Sequence, residues 1–394
     1  MDSKRILGAM SRKKVLYIAN GNSIHDIKWM TFFSAQTENY HCFLLVDSLN
    51  PLSQETIDQL TKLHITVLEP INPISLSHPI RTLRAIKHFK GLIRTIRPDL
   101  VHVLFATPHA LWLNFSKTPS IITMRGSDIL LVIPELLTEK GLKKLYFSFL
   151  FRQFKKAFLK ASFVTGTSLP QIEKAQELFK SANLKLVRTG VDVEKISQLD
   201  QIELIPTSLR DKEFVFSPRF MSPIYNIEFQ LDAISKLDQK FVERYTFVFI
   251  RGKQFDEKYY QVQLKRLQQL KAEIKLNYLV IDYLDQPSMW MMLKKTSLCI
   301  MTPISDGTPN SALEAMAAKC PLLISNLNYD KDIFENSCMK LNSFEVIDLK
   351  DIIENSLTNY NPELLSNAFT KVSVLGNRAL EMKKLETFYL NLLS

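Results

Sequence analysis

Asp306 and Glu314 stand eight positions apart, with Gly307, Thr308, Pro309, Asn310 and Ser311 directly after the first of them. Carboxylates accept hydrogen bonds from hydroxyl groups. The backbone N–H groups of Thr308 to Ser311, lying where a helix is expected to begin, offer a place for an anion. A diphosphate beside polyhydroxylated rings presents both kinds of group, and that is the chemistry of a nucleotide sugar. Each residue also has a plainer reading, Asp306 as a turn residue and Glu314 as a solvated helix carboxylate. A second candidate lies upstream at Ser217-Pro218-Arg219, followed by Pro223-Ile224-Tyr225-Asn226. A cation at a strand end stabilises the charge that grows on a leaving diphosphate, an effect worth ~10²–10³ in rate for one such donor. The plainer reading of Arg219 is a surface ion pair.

These residues need strands and helices to hold them. Ser297 to Met301 reads as an apolar strand, Ser305 to Pro309 as a polar turn, Ala312 to Ala318 as a helix of strong formers, and Pro321 to Ile324 as a second strand. That is the strand-loop-helix-strand unit of a parallel α/β sheet, where ligands sit at the carboxyl ends of strands. Similar alternation fills the first 190 residues or so, with strands at Lys14 to Ala19, His41 to Val46, His64 to Leu68, Leu100 to Leu104 and Ser120 to Met124. A polar linker, Ser197 to Lys212, precedes a second run of strands and helices. The expectation is an N-terminal domain over 1–200 and a second over 213–376, with the last helix (377–394) crossing back onto the first.

Only 10 of 394 residues are glycine, well under the usual share of about 7%. A glycine kept in such a chain is expected to serve positive φ or close approach. Gly21, Gly126, Gly190, Gly252 and Gly307 follow or separate expected strands and mark the working edge of the sheets. Composition bounds the rest. Hydrophobic residues make up 46% and charged ones 23%, ordinary for a soluble globular chain, and no apolar run approaches a membrane span. Lys and Arg close to the N-terminus, ahead of any sustained apolar stretch, speak against a secretory signal. Four cysteines without metal-type spacing fit reduced thiols and a cytoplasmic setting. The net charge of +10 suits an anionic partner without choosing it. No basic/aromatic RNA motif or recognition helix stands out, so nucleic acid is not expected.

The stretch from Asp306 through Glu314 to Ala315-Met316-Ala317 and Pro321 resembles the signature of the family 4 glycosyltransferases. These are retaining enzymes with the GT-B fold, two Rossmann-like doubly wound parallel-sheet domains facing a central cleft. The resemblance implies that Glu314 holds the ribose hydroxyls of the donor. It also implies that Asp306 and the amides after it meet the donor sugar, and that the donor is bound without a cofactor or a metal. Arg219 matches the family's arginine. Tyr225 stands near the usual lysine position and Asn226 follows it, so one cation is missing there. Arg125-Gly126-Ser127-Asp128 is similar to the first domain's Gly-Ser-Asp loop, but Arg125 replaces a histidine that contacts the donor in many members. Arg125 is a candidate for phosphate; Asp128 is either a ligand contact or, as slightly preferred, a helix cap. Gly190-Val191-Asp192 resembles a structural turn of the family. Gly21 to His25 resembles the loop beside donor phosphate and acceptor, with His25 equally readable as a solvated residue. Lys319 stands where relatives mostly carry glycine.

Other features are weighed and set aside. Asp330-Lys331-Asp332 matches a metal motif of a different glycosyltransferase fold, but Asp330 is well placed to cap a helix and the motif is discounted. His102 and His109 read as satisfied core or loop residues. On the helix Leu142 to Ala161, Leu142, Tyr146, Phe147, Phe149, Leu150, Phe151, Phe154, Ala157 and Phe158 share a broad arc, opposite Lys144, Arg152, Lys155 and Lys156. That pattern fits a core helix with a solvated basic face, or an interfacial helix on anionic lipid, and the arc is wide enough for both at once. The expected activity is transfer of a sugar from a nucleotide sugar to a glycan or lipid-linked acceptor, in cell-surface polysaccharide or glycolipid synthesis at the inner face of the membrane. The rivals are a catalytically silent GT-B subunit and a sugar-nucleotide epimerase.

Overall fold

Strands covered by helices on both sides must be apolar on both faces. Leu100–Leu104 and Thr246–Ile250 obey that rule, with all five residues of each buried. A computed structural model describes residues 12–393 apart from 76, 139 and 254. The N-terminal stretch read above as lacking a secretory signal, the side chain of Leu142 and residue 394 lie outside the described residues. Two compact units divide the chain: Met1–Val187 with Met382–Ser394, and Arg188–Glu381.

In the first unit seven strands pair in parallel. They are β1 (Lys13–Ile18), β2 (Tyr40–Leu45), β3 (Ile65–Val67), β4 (Leu100–Leu104), β5 (Ser120–Met124), β6 (Phe163–Gly166) and β7 (Leu184–Leu186), in the order β3-β2-β1-β4-β5-β6-β7. The second unit has β8 (Phe214–Phe220), β9 (Thr246–Ile250), β10 (Tyr278–Ile281), β11 (Leu298–Met301), β12 (Leu322–Ile324) and β13 (Met339–Lys340), in the order β10-β9-β8-β11-β12-β13. Both orders reverse direction once, between β1 and β4 and between β8 and β11. Such a reversal opens a crevice at the strands' carboxyl ends. These are two Rossmann-like sheets, as expected.

The sequence carried the first domain to 200, whereas the chain from Arg188 groups with the second unit. Val191 bridges Asn377, and Val193 and Ile196 are buried in the second unit's core. Gly190 makes that approach feasible. It takes φ +65, and a Cβ there would lie 2.6 Å from Arg378 Cα. Met382, Leu385 and Tyr389 of the last helix (Arg378–Leu393) are buried in the first unit's core with Trp29, Met30 and Phe33. His102 of β4 is wholly buried beside them. Its Nδ1 lies 2.5 Å from the Tyr389 hydroxyl and its Nε2 2.7 Å from Thr123 Oγ1. Burial pushes the His102 pKa down to about 3, so the ring is neutral. His109 opens the short helical segment His109–Phe115, its Nδ1 3.2 Å from the Leu104 carbonyl oxygen.

The single apolar arc expected on Leu142–Lys160 separates into two. Phe154, Ala157 and Phe158 are buried, while Tyr146 and Phe149 are exposed together with Leu145. Among the described residues no helix is long and apolar enough to cross a membrane. All four cysteines are buried and unpaired.

Candidate functional site

Arg219 stands near the carboxyl end of β8 and Asp306 lies in the loop after β11, so the neighbouring strands at the second sheet's reversal deliver both residues to one place. The two loops are tied together by the Ile304 N–H, which donates to the Ile224 carbonyl at 2.9 Å. Arg219 Nη1 donates to Ser311 Oγ at 2.8 Å and Nη2 to Asp306 Oδ2 at 3.1 Å. The guanidinium carbon stands 4.1 Å from the centre of the Tyr225 ring. Tyr225 is therefore a platform for Arg219 and not a second cation. Arg219 and Asp306 keep 18% and 19% of their side-chain surface exposed, so solvent or ligand reaches both. Arg219 Nε and Ser217 Oγ, both buried, have no hydrogen-bond partner among the described residues.

Asp306 Oδ1 accepts from the Gly307 N–H at 2.8 Å. The helix Asn310–Ala317 starts after Pro309, and its first-turn N–H groups point out of the helix end. Glu314 is half-buried on that helix. Its Oε1 accepts from Gln286 Nε2 at 3.0 Å and from Trp290 Nε1 at 3.1 Å. Both donors come from the helix Gln286–Lys295, which Asp285 caps by accepting the Ser288 N–H. Gln286 and Trp290 drew no attention in the sequence, because nothing local ties them to a carboxylate more than twenty positions away.

Behind Thr308 sits a buried cluster around Asp330. Asp330 occupies the N-cap position of Lys331–Phe334, but its side chain makes no capping bond. Fully buried, it accepts from Thr308 Oγ1 at 2.7 Å and from Arg188 Nε at 2.8 Å, while Asp332 accepts from Arg188 Nη2 at 2.6 Å. Burial pulls the Arg188 pKa down, and the two carboxylates outweigh it and raise it. The helix-cap reading of Asp330 is thus replaced by a buried clamp on the Thr308 loop.

Two further candidates answer to backbone shape. Gly252 takes φ +79, and a Cβ there would sit 2.3 Å from Phe220 Cβ, so glycine is what lets the loop after β9 close on the end of β8. Asn226 takes φ +54, a left-handed conformation that Asn tolerates better than most residues. Lys319 also takes a left-handed φ of +53, just beyond the helix that carries Glu314. Glycine is the favoured residue at such a helix end.

The first unit's reversal crevice is built otherwise. Asp128 is fully buried and accepts four backbone N–H groups: Ala106 at 2.7 Å, Gly126 at 2.9 Å, and Arg125 and Ile129 both at 3.0 Å. It knits the loop after β4 to the loop after β5, in place of the helix cap or ligand contact expected of it. Burial raises its pKa against the pull of those amides, and burial raises that of Asp26 as well. Asp26 accepts from the Asn20 N–H at 3.1 Å. Arg125 stacks 5.6 Å from the Trp29 ring centre, and its buried Nη1 has no hydrogen-bond partner among the described residues. Gly21 is buried against Leu44 and Leu52, and His25 is exposed.

Two sequence-family models match the chain. One, described as Glycosyl transferase 4-like, covers residues 14–161; the other, Glycosyl transferases group 1, covers residues 201–354, which contain Arg219, Asp306 and Glu314. No curated protein sequence matches. Among solved structures, a glycosyltransferase from Rickettsia africae ESF-5 is similar at TM-score 0.74 and 14% identity, over 98% of this chain and 100% of that one. Anabaena Alr3699/HepE in complex with UDP-glucose is similar at 0.68 and 14%, over 96% and 99%. The α,α-trehalose 6-phosphate synthase of Burkholderia multivorans is similar at 0.71 and 11%, over 97% and 98%. At such identities the structures speak for the fold, while the two sequence models between them span most of the chain. The chain belongs to the GT-B glycosyltransferases, its two halves matching the 4-like and the group 1 models respectively.

Proposed function

We propose that the second unit binds a nucleoside diphosphate sugar and that the enzyme passes the sugar, with retained anomeric configuration and no metal, to a glycan or lipid-linked acceptor. A cell-surface polysaccharide or glycolipid is the product class. The observation that carries this is the Arg219 guanidinium held between Asp306 and Ser311 at the mouth of the Asn310–Ala317 helix. Asp306 Oδ2 is the acceptor at Arg219 that the donor's diphosphate would displace. When the donor binds, the diphosphate takes the guanidinium and the helix-end amides, and Asp306 turns its freed oxygen to the sugar hydroxyls. Glu314, already oriented by Gln286 and Trp290, accepts from the ribose hydroxyls. The bond from the anomeric carbon to the phosphate oxygen then breaks while the acceptor oxygen adds on the same face. The acceptor proton passes to the departing phosphate oxygen, so no separate base is required. That the Anabaena structure holds UDP-glucose supports a UDP-sugar as donor.

The ion pair between Arg219 and Asp306 also favours a second reading, a silent subunit whose cation is neutralised by its own carboxylate. One set of experiments separates the two. A melting-temperature screen across UDP-, GDP- and ADP-sugars should find one that stabilises the protein, by ~2.7 kcal/mol at a hundredfold excess over Kd. Glu314→Ala should cancel most of that shift, since each charge-assisted hydrogen bond contributes ~1.5–3 kcal/mol. No stabilisation by any sugar nucleotide would remove the donor reading. Binding without hydrolysis or transfer would leave the silent subunit. Proton NMR of the first product would show whether the configuration is retained.

A further inference from the structure

The helices Pro79–Ile96 and Leu142–Lys160 cover the same face of the seven-stranded sheet. Phe89 of the first and Phe154 and Phe158 of the second are buried in one cluster with Val101, Val103 and Ile122. Between them runs the segment His109–Phe115. Its Trp112 ring lies 5.0 Å from Phe89, and its Asn114 Nδ2 donates to the Gln153 carbonyl at 3.1 Å. Their outer faces therefore turn away from the sheet on the same side.

Neither helix contains an Asp or a Glu. The first carries Arg81, Arg84, Lys87, Lys90 and Arg94. The second carries Lys143, Lys144, Arg152, Lys155 and Lys156, with Lys160 engaged by the Leu113 and Ser116 carbonyls. These bases match the formal excess of +10 of the entire chain even without Lys160. Glu69, beside His88, and Glu135 are acids on neighbouring segments. The chain's positive charge is thus not a general property of its surface but is concentrated on these two helices.

Large apolar side chains share the same stripes. Ile80 and Leu83 are 68% and 66% exposed, and they stand on the helical face that continues through Arg84, Lys87 and Arg94. Leu145 and Phe149, 74% and 46% exposed, are followed by Arg152 and Lys156 at the i, i+4, i+7, i+11 spacing of one helix face. A shallow depression over Gly91 is rimmed by Arg84, Lys87 and His88.

We propose that this face of the first unit docks on an anionic lipid bilayer, with the bases over headgroup phosphates and Ile80, Leu83, Leu145 and Phe149 entering the headgroup boundary. The combination selects lipid. A nucleic acid supplies phosphates but no apolar layer for Leu145 and Phe149, whereas an interfacial helix uses both kinds of side chain at once. Each base close to an anionic leaflet strengthens attachment ~5-fold. The proposal goes beyond sugar transfer and does not depend on which donor binds.

The test needs no turnover. The full chain is sedimented with vesicles of phosphatidylcholine alone and of phosphatidylcholine mixed with phosphatidylglycerol. It should bind the mixed vesicles and not the neutral ones, and added salt should weaken the binding. Leu145→Asp with Phe149→Asp should lower the partition coefficient at least ~10-fold with an unchanged melting temperature. Arg84→Glu with Lys87→Glu should lower it by ~10-fold or more. Failure to bind mixed vesicles overturns the proposal. So does full binding by the Leu145→Asp/Phe149→Asp protein, or equal binding of an oligonucleotide that these changes leave untouched, because the face would then be only a polyanion surface. A failed sugar-nucleotide screen leaves the vesicle result standing, so the two readings fall separately.

Discussion

Both units set an arginine and carboxylates beside the point where strand order reverses, yet they use them in different ways. In the first unit Asp128 is wholly buried and filled by four backbone amides from two loops. In the second, Asp306 and Glu314 remain half-buried and are held mainly by side chains, Arg219 for one and Gln286 with Trp290 for the other. The difference decides which carboxylate can serve a ligand. A side chain can swing from one acceptor to another at little cost. Four buried amides cannot, because each N–H stripped of its partner loses ~1–3 kcal/mol. The first unit's carboxylate therefore builds the loop, while the second unit's carboxylates are poised to exchange partners with a donor.

Arg219→Ala should break this contrast most severely. On the proposed mechanism it removes the donor to the departing diphosphate, and steady-state kinetics should show kcat down ~10²–10³-fold with the melting temperature nearly unchanged. Full turnover in the variant would take Arg219 out of the chemistry. Asp128→Ala should do the reverse. Four amides lose their acceptor, and chemical denaturation should report about 3 kcal/mol less stability for the first unit, while the sugar-nucleotide shift seen in the parent protein persists. A variant as stable as the parent would mean that the loops after β4 and β5 hold without the carboxylate.

Much of this is legible in the sequence. The apolar runs marked the strands, and the spacing from Asp306 to Glu314, with Arg219 upstream, picked out residues that the fold places around one pair of strands. What stayed hidden depended on neighbours far apart in the chain. Arg188 meets Asp330 across 142 positions, and nothing around either residue announces the other. Asp330 looked like a cap because Asp often caps helices; only the close approach of Thr308 and Arg188 shows where its oxygens go. Asp128 was half legible, since Arg125, Gly126 and Ile129 are local, but its bond to Ala106 requires β4 and β5 to be adjacent. On Leu142–Lys160, periodicity marked a wide apolar arc. It could not say that the core would take Phe154 and Phe158 and leave Leu145 and Phe149 in solvent.

Asp330 sharpens the comparison, because it is the second unit's one described loop carboxylate that resembles Asp128 in burial while differing in partners. Its clamp on Thr308 joins a buried ion pair to the loop that carries Asp306. Thr308→Val keeps the branched shape and deletes only the hydroxyl, and Asp330 retains Arg188 at 2.8 Å. The loss should therefore be small, about 1 kcal/mol, and it should fall on the loop and not on the fold. Donor KM should rise ~5-fold with the denaturation midpoint close to the parent's. A drop in stability with unchanged donor KM would instead make Asp330 a counterpart of Asp128, a carboxylate that serves architecture alone. The two units would then differ only in Asp306 and Glu314, the residues that a donor could reach.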